Sequence, residues 1–193
     1  MSHAIDVGHW NRTFPKYPIT VEDHGWIYGV WYCGTSFTKS ILYGQYPPGY
    51  VKRVLALFPT IHPSDVLHMP SGVLKEGITV DRVIDQVRRP KICADGAALP
   101  FADQQFDLIL SDPPYSDTDA KQYGTGHFPL MKLQRECLRV LRPGGYWCLL
   151  HTMYPSYRRR DGWRLIALIA VVTGFSKRTR LLSIFRKTEG API

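Results

Sequence analysis

The sequence predicts an α/β protein built on an open, mostly parallel sheet with helices on both faces and an antiparallel last strand. Three observations predict it. From residue 64 onward, short apolar runs alternate with stretches of helical periodicity. The runs at 65–69, 78–80, 92–94, 106–110 and 146–150 are apolar almost throughout rather than alternating, which suits central parallel strands buried on both faces. The closing segment 180–187 is apolar in the middle and basic at both ends, the pattern of an antiparallel strand ending a sheet.

The elements follow in order. Residues 1–20 are rich in His, Trp, Asn and Pro without periodicity and read as an extended arm. Residues 25–46 are dominated by Gly, Tyr and Trp, with a short strand at 26–32. Pro47-Pro48 opens a helix over 49–58 that sets Tyr50, Val54, Leu57 and Phe58 on one face, and Pro59 closes it. Further helices are predicted at 82–89, 128–141 and 162–172. The last has Leu165, Leu168, Ile169 and Val172 at helical spacing and Gly174 as a stop. The stretch 70–77 is too short for an ordinary parallel crossover, which takes about a dozen residues. Its helix is absent or a single turn, or one flanking strand is misassigned; the helix before residue 59 is then the element that covers that face. The chain divides into residues 1–63, an arm and helix packing on the core, and 64–193, the core, in a single compact domain with no separate target-recognition domain.

Composition narrows the function classes. A chain of 193 residues with 45% apolar and 21% charged residues is an ordinary globular chain of one-domain size. Its longest strongly apolar run, 165–172, is too short to cross a bilayer. The N-terminus carries no basic and apolar leader, so a cytoplasmic protein without membrane attachment is expected. Cys33, Cys93, Cys137 and Cys148 show no CxxC spacing and read as buried free thiols. The seven histidines are scattered, and no metal site is expected. The net charge of +8 is uneven: residues 151–193 hold nine Lys/Arg against two Asp/Glu. Arg158, Arg159 and Arg160 form one cluster, and Lys177-Arg178-Thr179-Arg180 forms a second. A basic face of this kind fits a polyanion such as DNA or RNA.

The chemistry concentrates after the run 106–110. In an open parallel sheet, ligands bind beyond the carboxyl ends of the strands. There the chain reads Ser111-Asp112-Pro113-Pro114-Tyr115. Two prolines stiffen the loop and have no N–H, so their carbonyls stand as acceptors beside the Asp112 carboxylate. An exocyclic amino group carries two N–H donors. If Asp112 and the Pro113 carbonyl accept both, the nitrogen lone pair turns out of the ring plane toward a methyl donor. Tyr115 can stack on the base ring. Alignment is the main help a protein can give so poor a nucleophile.

On these residues the chain resembles the amino-group methyltransferases of the class I S-adenosylmethionine-dependent fold, a Rossmann-like architecture, and among them the adenine-N6 and cytosine-N4 DNA methyltransferases. Their hallmark loop is (Asp/Asn/Ser)-Pro-Pro-(Tyr/Phe/Trp), here Asp112-Pro113-Pro114-Tyr115. Leu138-Arg139-Val140-Leu141-Arg142-Pro143-Gly144-Gly145 is similar to the family's helix end and turn before its fifth strand. Ala94-Asp95-Gly96-Ala97-Ala98-Leu99-Pro100-Phe101 is similar to its third-strand motif. The resemblance covers about residues 64–187. It implies S-adenosylmethionine as cofactor, Asp95 bonding the cofactor's adenine amino group, backbone contacts from Gly96 and Ala97, and Asp81 on the ribose hydroxyls. Asp107 reads as structural.

Two departures stand out. The family's first-strand motif carries an acid, an aromatic and two glycines, whereas here Leu67-His68-Met69-Pro70-Ser71-Gly72 keeps only Gly72, with His68 in the acid's place. Met69, Pro70 and Ser71, with the segment before the core (Tyr32, Cys33, Gly34 and Thr35, or Tyr46 and Pro47), are then the candidates for the methionine end of the cofactor. The chain also lacks room for a target-recognition region. Base contacts would come from short loops carrying Tyr123, His127, Tyr154 and Tyr157, with a homodimer or an accessory subunit as further sources. The expectation is methylation of adenine N6 in DNA. The alternatives are an RNA-base or protein-glutamine methyltransferase of the same fold, or an inactive relative that binds nucleic acid.

Overall fold

The computed structural model describes residues 3–34, 45–85, 88–122, 129–174 and 179–190. Its centre is β6 (Phe106–Ser111), a strand buried on both faces. Around it lie β1 (Thr20–Val21), β2 (Ile27–Tyr32), β3 (Val66–His68), β4 (Ile78–Asp81), β5 (Ile92–Cys93), β7 (Leu141–His151), β8 (Trp163–Val172) and β9 (Arg180–Lys187). The order across the sheet is β1-β2-β8-β9-β7-β6-β3-β4-β5. β9 runs antiparallel to both β7 and β8, and β1 antiparallel to β2; the remaining pairs are parallel. The carboxyl ends of β2 to β8 therefore share one edge.

Helices cover both faces. Along β7, side chains alternate between them with the strand period of two. Tyr146, Cys148 and Leu150 join one core with α1 (Val7–Thr13) and α2 (Tyr50–Ala56), where Trp10 stacks on Trp31 at 5.2 Å and Val54 and Leu57 meet Val66 and Leu110. Trp147 and Leu149 join the other, with Leu133, Cys137 and Val140 of α4 (Leu130–Val140). A short helix, α3 (Asp117–Gln122), follows the loop after β6. This is the Rossmann-like α/β arrangement the sequence predicts, and no described helix is long and apolar enough to cross a membrane.

Several elements differ from the sequence reading. Residues 163–172 form strand β8, not a helix. Trp163, Leu165, Ala167, Ile169 and Val171 are all buried at period two, apart from a register shift between Leu165 and Ala167. Both faces of β8 are apolar, so periodicity alone did not separate strand from helix. The described part of 82–89 is irregular rather than helical. The β3–β4 connection contains no helix, and α2 does pack over that face, its residues joining Val66 in one core. Residues 7–13 are helical, capped by the Asp6 carboxylate on the His9 N–H, where an extended arm was expected. The expected turn at Arg142–Gly145 is absorbed into β7 as an irregularity: Phe106 pairs with Leu141 and Leu108 with Tyr146. Cys33, Cys137 and Cys148 are buried free thiols, but Cys93, on the edge strand β5, is exposed.

Candidate active site

The carboxyl edge of the sheet is tied together by backbone hydrogen bonds. The Met69 N–H donates to the Leu110 carbonyl at 2.9 Å, carrying the segment after β3 alongside the end of β6. The Ser71 N–H donates to the Val80 carbonyl, and the Gly72 N–H to Asp81 Oδ2 at 3.0 Å. The other Asp81 oxygen accepts from the Val83 N–H, and the Asp81 carbonyl accepts from Ala94. Gly96 lies directly against Met69: a Cβ there would stand 3.1 Å from the Met69 sulfur. Met69, Pro70, Ser71, Gly72, Asp81, Asp95, Gly96 and Ala97 are thus brought to one shelf.

Asp95 accepts from the Ala97 N–H on Oδ1 and faces Arg82 at 3.7 Å through Oδ2. Its loop is braced from behind. Arg139 donates to the Leu99 and Phe101 carbonyls and pairs with Glu136 and Asp103. The Arg139 hydrogen bond in turn holds Glu136 below the usual carboxylate range. Arg139 thus fixes the shelf without touching it.

The segment before α2 closes the other side. Tyr46 Oη donates to the Leu110 carbonyl at 3.0 Å. Tyr46, Pro47, Pro48, Ser71 and Val73 line a cleft of about 730 Å³. Ser71 is 1% exposed, yet its hydroxyl has no hydrogen-bond partner among the described residues. His68, in the place of the family's first-strand acid, is buried with Nδ1 unpartnered, and burial pushes it down to about 4. It is neutral at physiological pH and supplies no negative charge.

The Asp112 loop leaves β6 on this edge. Burial pushes the Asp112 carboxyl up to about 6, against the pull of Arg180 and of the Tyr115 hydrogen bond. Tyr115 Oη donates to Asp112 Oδ1, and Arg180 Nη1 to Oδ2 at 3.3 Å. The Arg180 guanidinium lies over the Tyr115 ring at 5.6 Å, and His151 meets that ring edge-on at 5.0 Å. Pro113 and Pro114 sit between these anchors. Tyr115 is thus held both on its hydroxyl and on its ring.

Arg158, Arg159 and Arg160 are not brought to this edge. They are exposed, and Arg159 and Arg160 form a single 3-10 turn just before the amino end of β8. Arg180 pairs with Val171 near the other end of β8, so the cluster lies a strand length away, roughly 25–30 Å at about 3.3 Å per residue. Tyr157 packs its ring against Phe185. Tyr123, His127, Lys177, Arg178 and Thr35 lie outside the described residues. Arg180 and His151 were not singled out in sequence. They lie 68 and 36 positions from the side chains they meet, and no local spacing signals such pairs.

Comparison with known proteins adds a family. Residues 76–149 match the family model described as a methyltransferase domain. The match spans Asp81, the Asp95 loop and the Asp112–Tyr115 loop, and ends inside β7. No curated protein matches the chain. Among solved structures, the crystal structure of the PH0226 protein from Pyrococcus horikoshii OT3 is similar at 14% identity with a TM-score of 0.29. The similarity covers 50% of this chain and 58% of that one, so the chain spans little more than half of that protein's length. Over residues 76–149, well under half of the chain, the sequence is similar to methyltransferase domains.

Proposed function

We propose that this protein methylates an exocyclic amino group of a nucleic-acid base, with adenine N6 in DNA as the first candidate, in the cytoplasm. One observation carries the reading: a Pro-Pro-stiffened loop at the end of the central strand presents a largely covered carboxylate, 12% exposed, and a held aromatic ring together. The basic surface, including Arg158, Arg159 and Arg160, favours a polyanion over a protein amide.

The cofactor fits the shelf. Gly96 allows close approach over Met69, and Ala97 offers backbone. By the resemblance, Asp95 takes the adenine amino group and Asp81 the ribose, each through the acceptor positions that its backbone and Arg82 contacts leave. The unpartnered Ser71 hydroxyl, in the cleft with Tyr46 and Pro47, suits the amino-acid end that the family's missing glycine would otherwise hold. When bound, S-adenosylmethionine supplies an electrophilic methyl group on a sulfonium. The chain's own part is orientation. Asp112 and the Pro113 carbonyl accept the two amine hydrogens, and Asp112 takes the surplus proton. A base stacking on Tyr115 shares its ring with Arg180 or displaces it.

The deciding experiment supplies labelled S-adenosylmethionine with separate DNA, RNA and protein pools, followed by nucleoside mass spectrometry. The expected product is the N6-methylated adenine nucleoside from DNA, lost in Asp112→Ala with the fold intact. Label only in RNA or in protein glutamine would reassign the substrate. Full activity of Asp112→Ala would refute the clamp. No rise in melting temperature at millimolar cofactor would favour a non-catalytic binding module.

A further inference from the structure

We infer that Arg180 is a positioning residue of this site: from the start of the antiparallel last strand, it is the counter-ion and clamp that holds the Asp112 carboxylate and the Tyr115 ring in the arrangement that receives the amine. The inference rests on the reading of Asp112–Tyr115 as the amino-group clamp.

Three contacts converge. Arg180 donates to Asp112 Oδ2 at 3.3 Å, its guanidinium covers the Tyr115 ring at 5.6 Å, and the Tyr115 hydroxyl closes the triangle on Oδ1. The Asp112 and Arg180 side chains are only 12% and 24% exposed, so water screens the pair weakly. An ionised carboxylate has about four acceptor positions on its two oxygens. Arg180 and Tyr115 use one on each, and the rest stay open to one N–H of an entering amine, the Pro113 carbonyl taking the other. A protonated Asp112 would lose acceptor capacity and could no longer take up the proton released after transfer.

The other groups around Asp112 leave that task to Arg180. Tyr46 precedes α2 and is half-buried, and Tyr50 lies within it and is buried; both hydroxyls are held well above their usual range by burial. Cys148 on β7 and Cys33 after β2 are likewise pushed up by burial, and burial pushes His151 down. All five are neutral near pH 7. Among the described residues, Arg180 is the cation within ion-pair reach of Asp112. No local motif marks it, since 68 residues separate the two.

Arg180→Met removes the charge and keeps the stem; Arg180→Lys keeps the charge and loses the planar group. Two readouts are taken for each: the pH profile of the single-turnover transfer rate, and titration of the Asp112 carboxyl by carbon NMR without substrate. In Arg180→Met, the acid limb and the Asp112 titration are both expected to move up by about one pH unit, the low end for loss of an adjacent opposite charge. Transfer falls at least tenfold at pH 7, with a smaller deficit at pH 9. In Arg180→Lys the limb returns toward the wild type, while a rate deficit remains at every pH. An unmoved limb and titration in Arg180→Met, with the wild type active, overturn the inference. If that variant does not fold, a wild-type profile with an undiminished rate in Arg180→Lys overturns it equally. Wild-type protein that binds cofactor and methylates nothing defeats the functional reading instead, while the Asp112 titration still decides the ion pair.

Discussion

Two aspartates five residues apart mark the two ends of strand β6, and the fold treats them in opposite ways. Asp107, at the amino end, meets Arg142 at 2.6 Å and His3 at 3.8 Å, and Arg142 also binds Asp65. This cluster ties the N-terminus, the turn before β3 and the start of β7 to the central strand. Asp112, past the carboxyl end, is buried far enough that its carboxyl is pushed up to about 6 despite an arginine and a tyrosine on its oxygens. One carboxylate sits where paired charge holds the fold together. The other is kept where its charge costs stability, as expected of a group retained for chemistry.

The comparison breaks most readily at Asp112. Asp112→Asn keeps the size of the side chain and removes the charge and the proton-accepting role. Methyl transfer is expected to fall by about 10²–10⁴, the range for loss of a positioned acid–base group. Asp107→Asn is expected to leave the transfer rate within about twofold. Comparable losses in both variants would mean that Asp112 acts through stability alone.

A stability measurement sharpens the same contrast. The folded-state value for Asp112 lies above its ordinary 3.8. Its contribution to stability is therefore fully present below pH 3.8 and lost as pH rises through about 6. In wild type this loss amounts to at most about 3 kcal/mol. Asp112→Asn is expected to flatten stability against pH between 4 and 6 and to melt no lower than wild type at pH 8. Denaturant midpoints across that range decide it. An Asn variant that is clearly less stable at pH 8 would place Asp112 among the structural pairs.

The two ends of β6 also differ in how legible they are in sequence. The Asp112–Tyr115 loop could be read because its chemistry is local: two prolines, a carboxylate and an aromatic are consecutive, after an apolar run that ends where ligands bind. β6 and β9 fell where their consecutive apolar residues put them. What failed was non-local or two-sided. β8 is apolar on both faces, so its helical spacing of leucines and valines was an accident of a buried strand. The crossover after β3 was the exception: its shortness in sequence already allowed that it has no helix and that α2, from before the strand, fills that side. Arg180 was counted as one of several basic residues. Only the antiparallel return of β9 beside β7 and β8 brings it to Asp112. The Arg158–Arg160 cluster was read as part of a basic face, and its distance from the site, set by the length of β8, has no local signal in sequence.

The smallest effect expected is at the quiet end of the strand. Asp107→Asn leaves the Arg142 guanidinium with Asp65 at 3.1 Å but without its shorter partner. Arg142 is 40% exposed, so water recovers part of what is lost, and the cost falls to about 1 kcal/mol, below the usual range for a charged hydrogen bond. Removing Arg142 instead strands Asp107, whose side chain is only 16% exposed, beside a single weak histidine contact. Arg142→Met is therefore expected to destabilise more than Asp107→Asn. The double variant should cost less than the sum of the two, because the second change removes a charge already left without its partner. Denaturant unfolding of the four proteins measures the coupling directly. Strict additivity would show that the amino end is held by packing around β6 rather than by this ion pair, and would remove the contrast with Asp112 on its structural side.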